Sequence, residues 1–151
     1  MKKLLLSLFL VGTVSLSFAQ MATPVSWAFT SKKISDKIYE LHLTATIEPG
    51  WHLYAQNQPK DAIAQPTSFE FNAHPLIKYD GKVKENGKME KFKDEKLGVA
   101  ANQYSNKVEF IQVVKLKAAA RTNVSGKLEY QTCDDKKCLP PKTVNFTIPL
   151  Q

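Results

Sequence analysis

Residues 37–47 read KIYELHLTATI, and their alternation is strict. Tyr39, Leu41, Leu43, Ala45 and Ile47 fall on one side, and Glu40, His42, Thr44 and Thr46 on the other. A period of two buries one face of a strand and leaves the other wet. Beyond the first twenty residues no segment sustains an apolar stripe at i, i+3, i+4 and i+7 over three turns, so a helix would have no face to bury. Shorter strands are predicted at SWAFT (26–30) and TSFEF (67–71), and longer ones at KVEFIQVVKLK (107–117), SGKLEYQT (125–132) and TVNFTIPL (143–150). Turn signals separate them at Pro49-Gly50, Pro59, Pro66, Gly81, Gly87, Gly98 and Gly126. Seven to nine strands without crossover helices predict an all-β, antiparallel β-sandwich. Two stretches are predicted to be irregular: the polar AQNQPKDAIAQP (55–66) and the charged KENGKMEKFKDEKLGVAANQ (84–103). Long loops on a rigid scaffold often carry function, although most are plain solvated connections.

The first nineteen residues read as a cleavable export signal, leaving one domain over 20–151. Lys2 and Lys3 form a basic start, Leu4 to Val14 an apolar core, and Ser17 and Ala19 place small residues before a cut between Ala19 and Gln20. The apolar run falls short of the ~20 residues that a membrane span needs. No later segment is long and apolar enough to cross a bilayer, so the mature chain is expected to have no transmembrane segment. The expected location is the periplasm or another exported compartment, where disulfides persist. Loss of Lys2 and Lys3 leaves 19 basic and 14 acidic residues, a net charge of +5 instead of +7. These charges form no dense basic run with interleaved aromatics, so no nucleic-acid partner is predicted. A mature chain of this length can bury a core without cross-links.

The chemistry concentrates in Tyr130–Pro141, YQTCDDKKCLPP, which holds both cysteines. A structural zinc site needs four ligands, and one cysteine pair with the scattered His42, His52 and His74 does not supply them. His42, on the polar face of its strand, is expected to be exposed, and His74 to lie in a turn. A disulfide staple closing a loop of roughly six residues stabilises by only about 2 kcal/mol in the chain-entropy view. A redox-active pair is the other reading, since one close thiol can resolve a mixed disulfide formed by its neighbour. Asp134 and Asp135 disfavour a thiolate at Cys133, while Lys136 and Lys137 favour one at Cys138. Cys138 is therefore the expected attacking thiol and Cys133 the resolving one. Pro140 and Pro141 remove two N–H donors just beyond, leaving a spot outside any ladder. Spacing alone leaves staple and redox centre both open.

Tyr130-Gln131, Cys133, Cys138 and Pro140-Pro141 resemble the active-site segment of the amino-terminal periplasmic domain of DsbD, a transmembrane disulfide reductase. Gly50-Trp51-His52-Leu53-Tyr54 resembles that family's early Gly-aromatic-x-x-Tyr strand, and Asp94-Glu95-Lys96-Leu97-Gly98 its cap loop. The resemblance runs from about Pro24 to Leu150. It implies an immunoglobulin-like sandwich whose Cys133 and Cys138 cycle between dithiol and disulfide. It places Tyr54 and His52 beside the sulfurs, and Asp94 and Glu95 near them as groups that tune protonation. The implied partners are a thioredoxin-like or membrane electron donor and, as acceptors, oxidised periplasmic thiol proteins, including disulfide isomerases and cytochrome c maturation factors. No cofactor and no metal is implied. The chain departs from the family in having four residues between the cysteines, where some members have five. Leu139 replaces a common aromatic. Leu97 stands where a cap aromatic is usual, with Phe92 or Tyr104 able to take that part. The chain ends at Gln151 without a membrane or thioredoxin-like domain, so the expected donor is a separate protein. The alternative is a non-catalytic, protein-binding immunoglobulin-like module with a structural disulfide. Gly-x-Ser-x-Gly, His-Glu-x-x-His and phosphate-loop motifs are absent, which argues against other enzyme classes.

Overall fold

The computed structural model describes residues 23–96 and 98–151. The predicted signal (1–19) and Leu97 lie outside the described residues. The described chain forms nine strands: β1 (Val25–Ser35), β2 (Ile38–Ile47), β3 (His52–Tyr54), β4 (Ser68–Phe71), β5 (Ile77–Asp94), β6 (Val99–Leu116), β7 (Thr122–Tyr130), β8 (Thr132–Cys133) and β9 (Lys142–Leu150). They build two antiparallel sheets, one ordered β1-β2-β6-β3-β8 with β5 on the other side of β6, and one ordered β4-β7-β9. This is the all-β, immunoglobulin-like sandwich.

The alternation of β2 settles which face points inward. Tyr39, Leu41, Leu43, Ala45 and Ile47 are all buried. Opposite them, Val124, Leu128, Ile148 and Leu150 of the second sheet are also buried. Phe110 stands in the middle, its ring centroid 4.9 Å from Phe69 and 5.9 Å from Trp27. Each such side chain contributes about 1.5–3 kcal/mol on burial. His42, expected to be exposed, is largely covered instead, with Nδ1 3.0 Å from the Glu109 carboxylate across the strand pair.

The charged stretch 84–103 is not a loop. It forms the outer half of a hairpin in which β5 and β6, of 18 residues each, pair from Ile77↔Leu116 to Asp94↔Val99. Among the described residues β5 pairs with β6 alone, and an edge strand of this kind keeps charges on both faces without penalty, which also discourages pairing with other chains. The other side of β6 carries two partners in succession. Its later half pairs with β2 from Thr46↔Lys107 to Ile38↔Lys115, and its earlier half pairs with β3 at Leu53↔Tyr104 and Tyr54↔Gln103. The handover needs two local devices. Gly50 turns the chain between β2 and β3 at φ +80°, and Asn106 bends β6 at φ +64°, a left-handed conformation that Asn tolerates better than most residues.

Stretch 55–66 is irregular, as predicted, yet firmly held. The Gln58 side chain accepts from Asn102 N at 3.0 Å and donates to Asn102 O at 2.7 Å, standing in for a strand neighbour. Glu85 accepts from Gln56 N and from the Tyr104 hydroxyl, both at 2.6 Å. Burial and the Glu85 carboxylate together raise the Tyr104 hydroxyl well above the usual tyrosine range. Gly87 and Gly126 lie inside strands rather than at turns. At Gly126 the reason is close approach: a Cβ there would meet the Glu70 carbonyl oxygen and come within 2.7 Å of the Phe146 ring. Gly126→Ala should therefore destabilise the domain by about 1–3 kcal/mol, the usual cost of overpacking. The expected result is a lower urea midpoint at unchanged slope, and an unchanged midpoint would refute the close packing of β4, β7 and Phe146.

Candidate functional site

The cysteine segment sits where the chain changes sheets. β7 ends at Tyr130 in the second sheet, and two residues later Thr132 pairs with Leu53 in the first. The chain returns at Lys142, opposite Tyr130. Between these points it makes a small hairpin: Cys133 bridges Cys138, Leu139 N donates to Thr132 O at 2.9 Å, and Asp134 N donates to Lys137 O at 2.9 Å. Asp134 closes the turn by accepting from Lys136 N and Lys137 N at 2.8 and 2.7 Å. These backbone hydrogen bonds hold its carboxyl below the usual carboxylate range.

Cys133 and Cys138 are joined as a disulfide, their Cα atoms 4.0 Å apart. The two sulfurs belong to unlike residues. Cys133 is 4% exposed and clusters with Tyr54, Ala64 and Ala101, whereas Cys138 is exposed. Burial also raises the Tyr54 hydroxyl above its ordinary range.

The flanking motif residues hold this hairpin in place. Tyr130 is a core residue, its ring 5.5 Å from Trp27 in an edge contact. The Gln131 side chain ties both neighbours of the hairpin, accepting from Gln65 N at 2.8 Å and donating to Leu139 O at 3.0 Å. Pro140 and Pro141 lie between β8 and β9, exposed and outside both ladders.

His52 is the register partner of Cys133, so both side chains rise from the same face of the sheet. On its other side His52 meets Ser105, with Nδ1 3.1 Å from Ser105 Oγ. The Ser105 hydroxyl donates in turn to Glu90 Oε2 at 3.0 Å. Cys138, Cys133, His52 and Ser105 thus form one row across the strands, closed by Glu90 from β5. Asp135 reaches the same imidazole from the turn, its carboxylate 3.8 Å from Nε2. The fold brings Glu90 to this row from the hairpin. Glu95 is exposed and pairs with Lys93 at 3.3 Å. Asp94 ends β5 opposite Val99 and accepts from Lys96 N at 2.9 Å.

Ser105 and Glu90 were not singled out in the sequence. Their only signal is register, which becomes readable once 84–103 is known to be a hairpin. Of the two aromatics considered beside Leu97, Tyr104 points into the core, while Phe92 faces Ala101 on the disulfide side. Phe92 is 46% exposed, and Ile63, next to Ala64, is 80% exposed. Phe92 is thus an exposed aromatic, the register partner of Ala101, and Ile63 an exposed aliphatic one residue from Ala64. The other histidines are elsewhere: His42 pairs with Glu109, and His74 lies near Thr122, its Nε2 3.2 Å from the hydroxyl. Among the described residues no group of three or more His, Cys, Asp or Glu is placed to hold a metal. No helix among them is long and apolar enough to cross a membrane.

Solved structures share this architecture. The reduced N-terminal domain of DsbD from Neisseria meningitidis superposes with a TM-score of 0.52 at 17% identity, over 81% of this chain and 83% of that one. The DsbD N-terminal domain complexed with the PilB N-terminal domain, from the same organism, gives 0.51 at 18% identity, over 82% of this chain and 80% of that one. No curated protein sequence matches the chain. The family described as "Thiol:disulfide interchange protein DsbD, N-terminal" matches residues 19–149. With the match spanning nearly the whole sequence, the chain belongs to the DsbD N-terminal domain family.

Proposed function

We propose that this chain is a thiol–disulfide exchange domain of the bacterial envelope. It takes reducing equivalents from a thioredoxin-like or membrane donor and passes them to oxidised envelope proteins through Cys133 and Cys138. The observation that carries this reading is the asymmetry of the pair, one cysteine buried on the edge strand β8 and the other exposed at a turn. Thiol–disulfide exchange needs one reachable sulfur and one that resolves behind it. Cys138 has that access, together with two neighbouring lysines that favour its thiolate. Cys133 is the resolving thiol, with Tyr54 and His52 beside it. The tip of the β5–β6 hairpin, with Asp94 and Glu95, is the cap that a partner moves or contacts, the sequence also offering Leu97 for that part, and Ile63 and Phe92 offer an apolar rim for docking. The complex of a Neisseria DsbD N-terminal domain with a PilB N-terminal domain supports a protein partner. Residues 1–19 are proposed as the export signal, which puts residues 20–151 in the periplasm.

The reduction potential separates this reading from a structural staple. Equilibration of the pair against glutathione or dithiothreitol buffers should give a value above about −300 mV, the region below which structural disulfides fall. A lower value with no reaction toward a thioredoxin-like donor would favour the protein-binding module instead.

A trapping experiment assigns the two thiols. Cys133→Ala should accumulate a mixed disulfide between Cys138 and a thioredoxin-like protein, visible as a reducible adduct in mass spectrometry. Cys138→Ala should trap little, because the Cys133 sulfur is covered. Trapping by the second variant alone would reverse the roles.

A further inference from the structure

Resting on the exchange reading, we propose that His52, positioned by Ser105 and Glu90, is the proton carrier for Cys133. The hydrogen bonds dictate the tautomer. A carboxylate only accepts, so the Ser105 proton lies toward Glu90 and the Ser105 oxygen accepts from His52 Nδ1–H. Nε2 is then the nitrogen free to gain or lose a proton. Directly paired residues on neighbouring antiparallel strands hold their Cβ atoms about 4.5–5.5 Å apart, so His52 and Cys133 are cross-strand neighbours on one face, with Nε2 turned toward the cysteine turn, 3.8 Å from the Asp135 carboxylate.

The need is specific to Cys133. Cys138 is exposed and can lose its proton to water, but Cys133 is covered. In the forward direction, the Cys138 thiolate attacks one sulfur of a partner disulfide, and the partner's other sulfur leaves as a thiolate. Cys133 then gives its proton to His52 Nε2, and its thiolate attacks Cys138 Sγ. The Cys133–Cys138 bond forms, and the bond from Cys138 to the partner breaks. The partner's second sulfur leaves as a thiolate and takes up a proton. Two thiols have become a disulfide and the partner disulfide has gained two electrons. In reverse, His52 returns the proton as Cys133 leaves. The charged and titratable groups that the structure places at His52 are Glu90 through Ser105, Asp135 from the turn, Cys133 on β8, and Tyr54 two residues on along its own strand. From β6 the nearest residues on this face, Ser105 and Gln103, do not titrate.

The test separates the two chemical steps. Reduced protein is mixed with oxidised glutathione, and the Cys138–glutathione adduct is followed by quenched-flow mass spectrometry across pH. A thiol of ordinary pKa, about 8.5, is a few per cent thiolate at pH 7, and burial lowers that share further, so loss of its base costs at least roughly 10-fold. His52→Gln should slow resolution relative to adduct formation by at least that factor at pH 7, and the deficit should shrink as the pH rises above about 9. Ser105→Ala and Glu90→Gln, which leave the imidazole in place, should show a smaller deficit with the same pH trend. Resolution with an unchanged pH profile in all three variants would overturn the role of His52. Failure of the wild-type protein to form or resolve the adduct would instead overturn the exchange reading itself.

Discussion

The larger sheet, and with it the disulfide, is registered on β6. Its 18 residues are paired on both sides, with β5 along one edge and β2 followed by β3 along the other. The half paired with β2 supplies Val108, Phe110 and Val114 to the core. The half paired with β3 supplies the platform on which the disulfide stands. A slip of one residue would send the apolar set to the solvent face, and it would also remove Ser105 from His52. Core packing and site geometry are therefore held by the same ladder.

The second constraint is the change of sheet at Gln131. Because β7 belongs to one sheet and β8 to the other, the segment between Tyr130 and Lys142 projects from the corner of the sandwich. One side of the small hairpin is zipped onto β3 and buries Cys133. The other side has no strand beyond it among the described residues and leaves Cys138 exposed. The Gln131 amide fixes this arrangement from both sides. The core closes without help from the cross-link, whose short loop contributes little stability. Opening the disulfide therefore need not threaten the fold, which suits the proposed exchange chemistry.

The alternation of Tyr39 to Ile47 was legible because one face of β2 meets the second sheet and the other meets solvent. The segment 84–103 was not legible, because β5 is an edge strand whose charges mask any period, and a charged run without alternation reads as a loop. Gly126 reads as a turn in sequence, yet it is a contact point under Phe146. A glycine tolerated for space looks the same in one dimension as a glycine needed for φ.

The site divides in the same way. Residue types and spacing pointed to Cys133 and Cys138, to the unequal charges beside them and to the two prolines, and the resemblance to the DsbD segment joined Tyr130 and Gln131 to them. That much is local, carried by neighbours in the chain. Only the tertiary structure decided that Cys133 is buried and Cys138 exposed, that Phe92 and not Tyr104 faces the disulfide, and that Glu90 and Ser105 stand behind His52. These outcomes depend on strands brought together from positions far apart in sequence. Their register is set by the whole core rather than by any one segment.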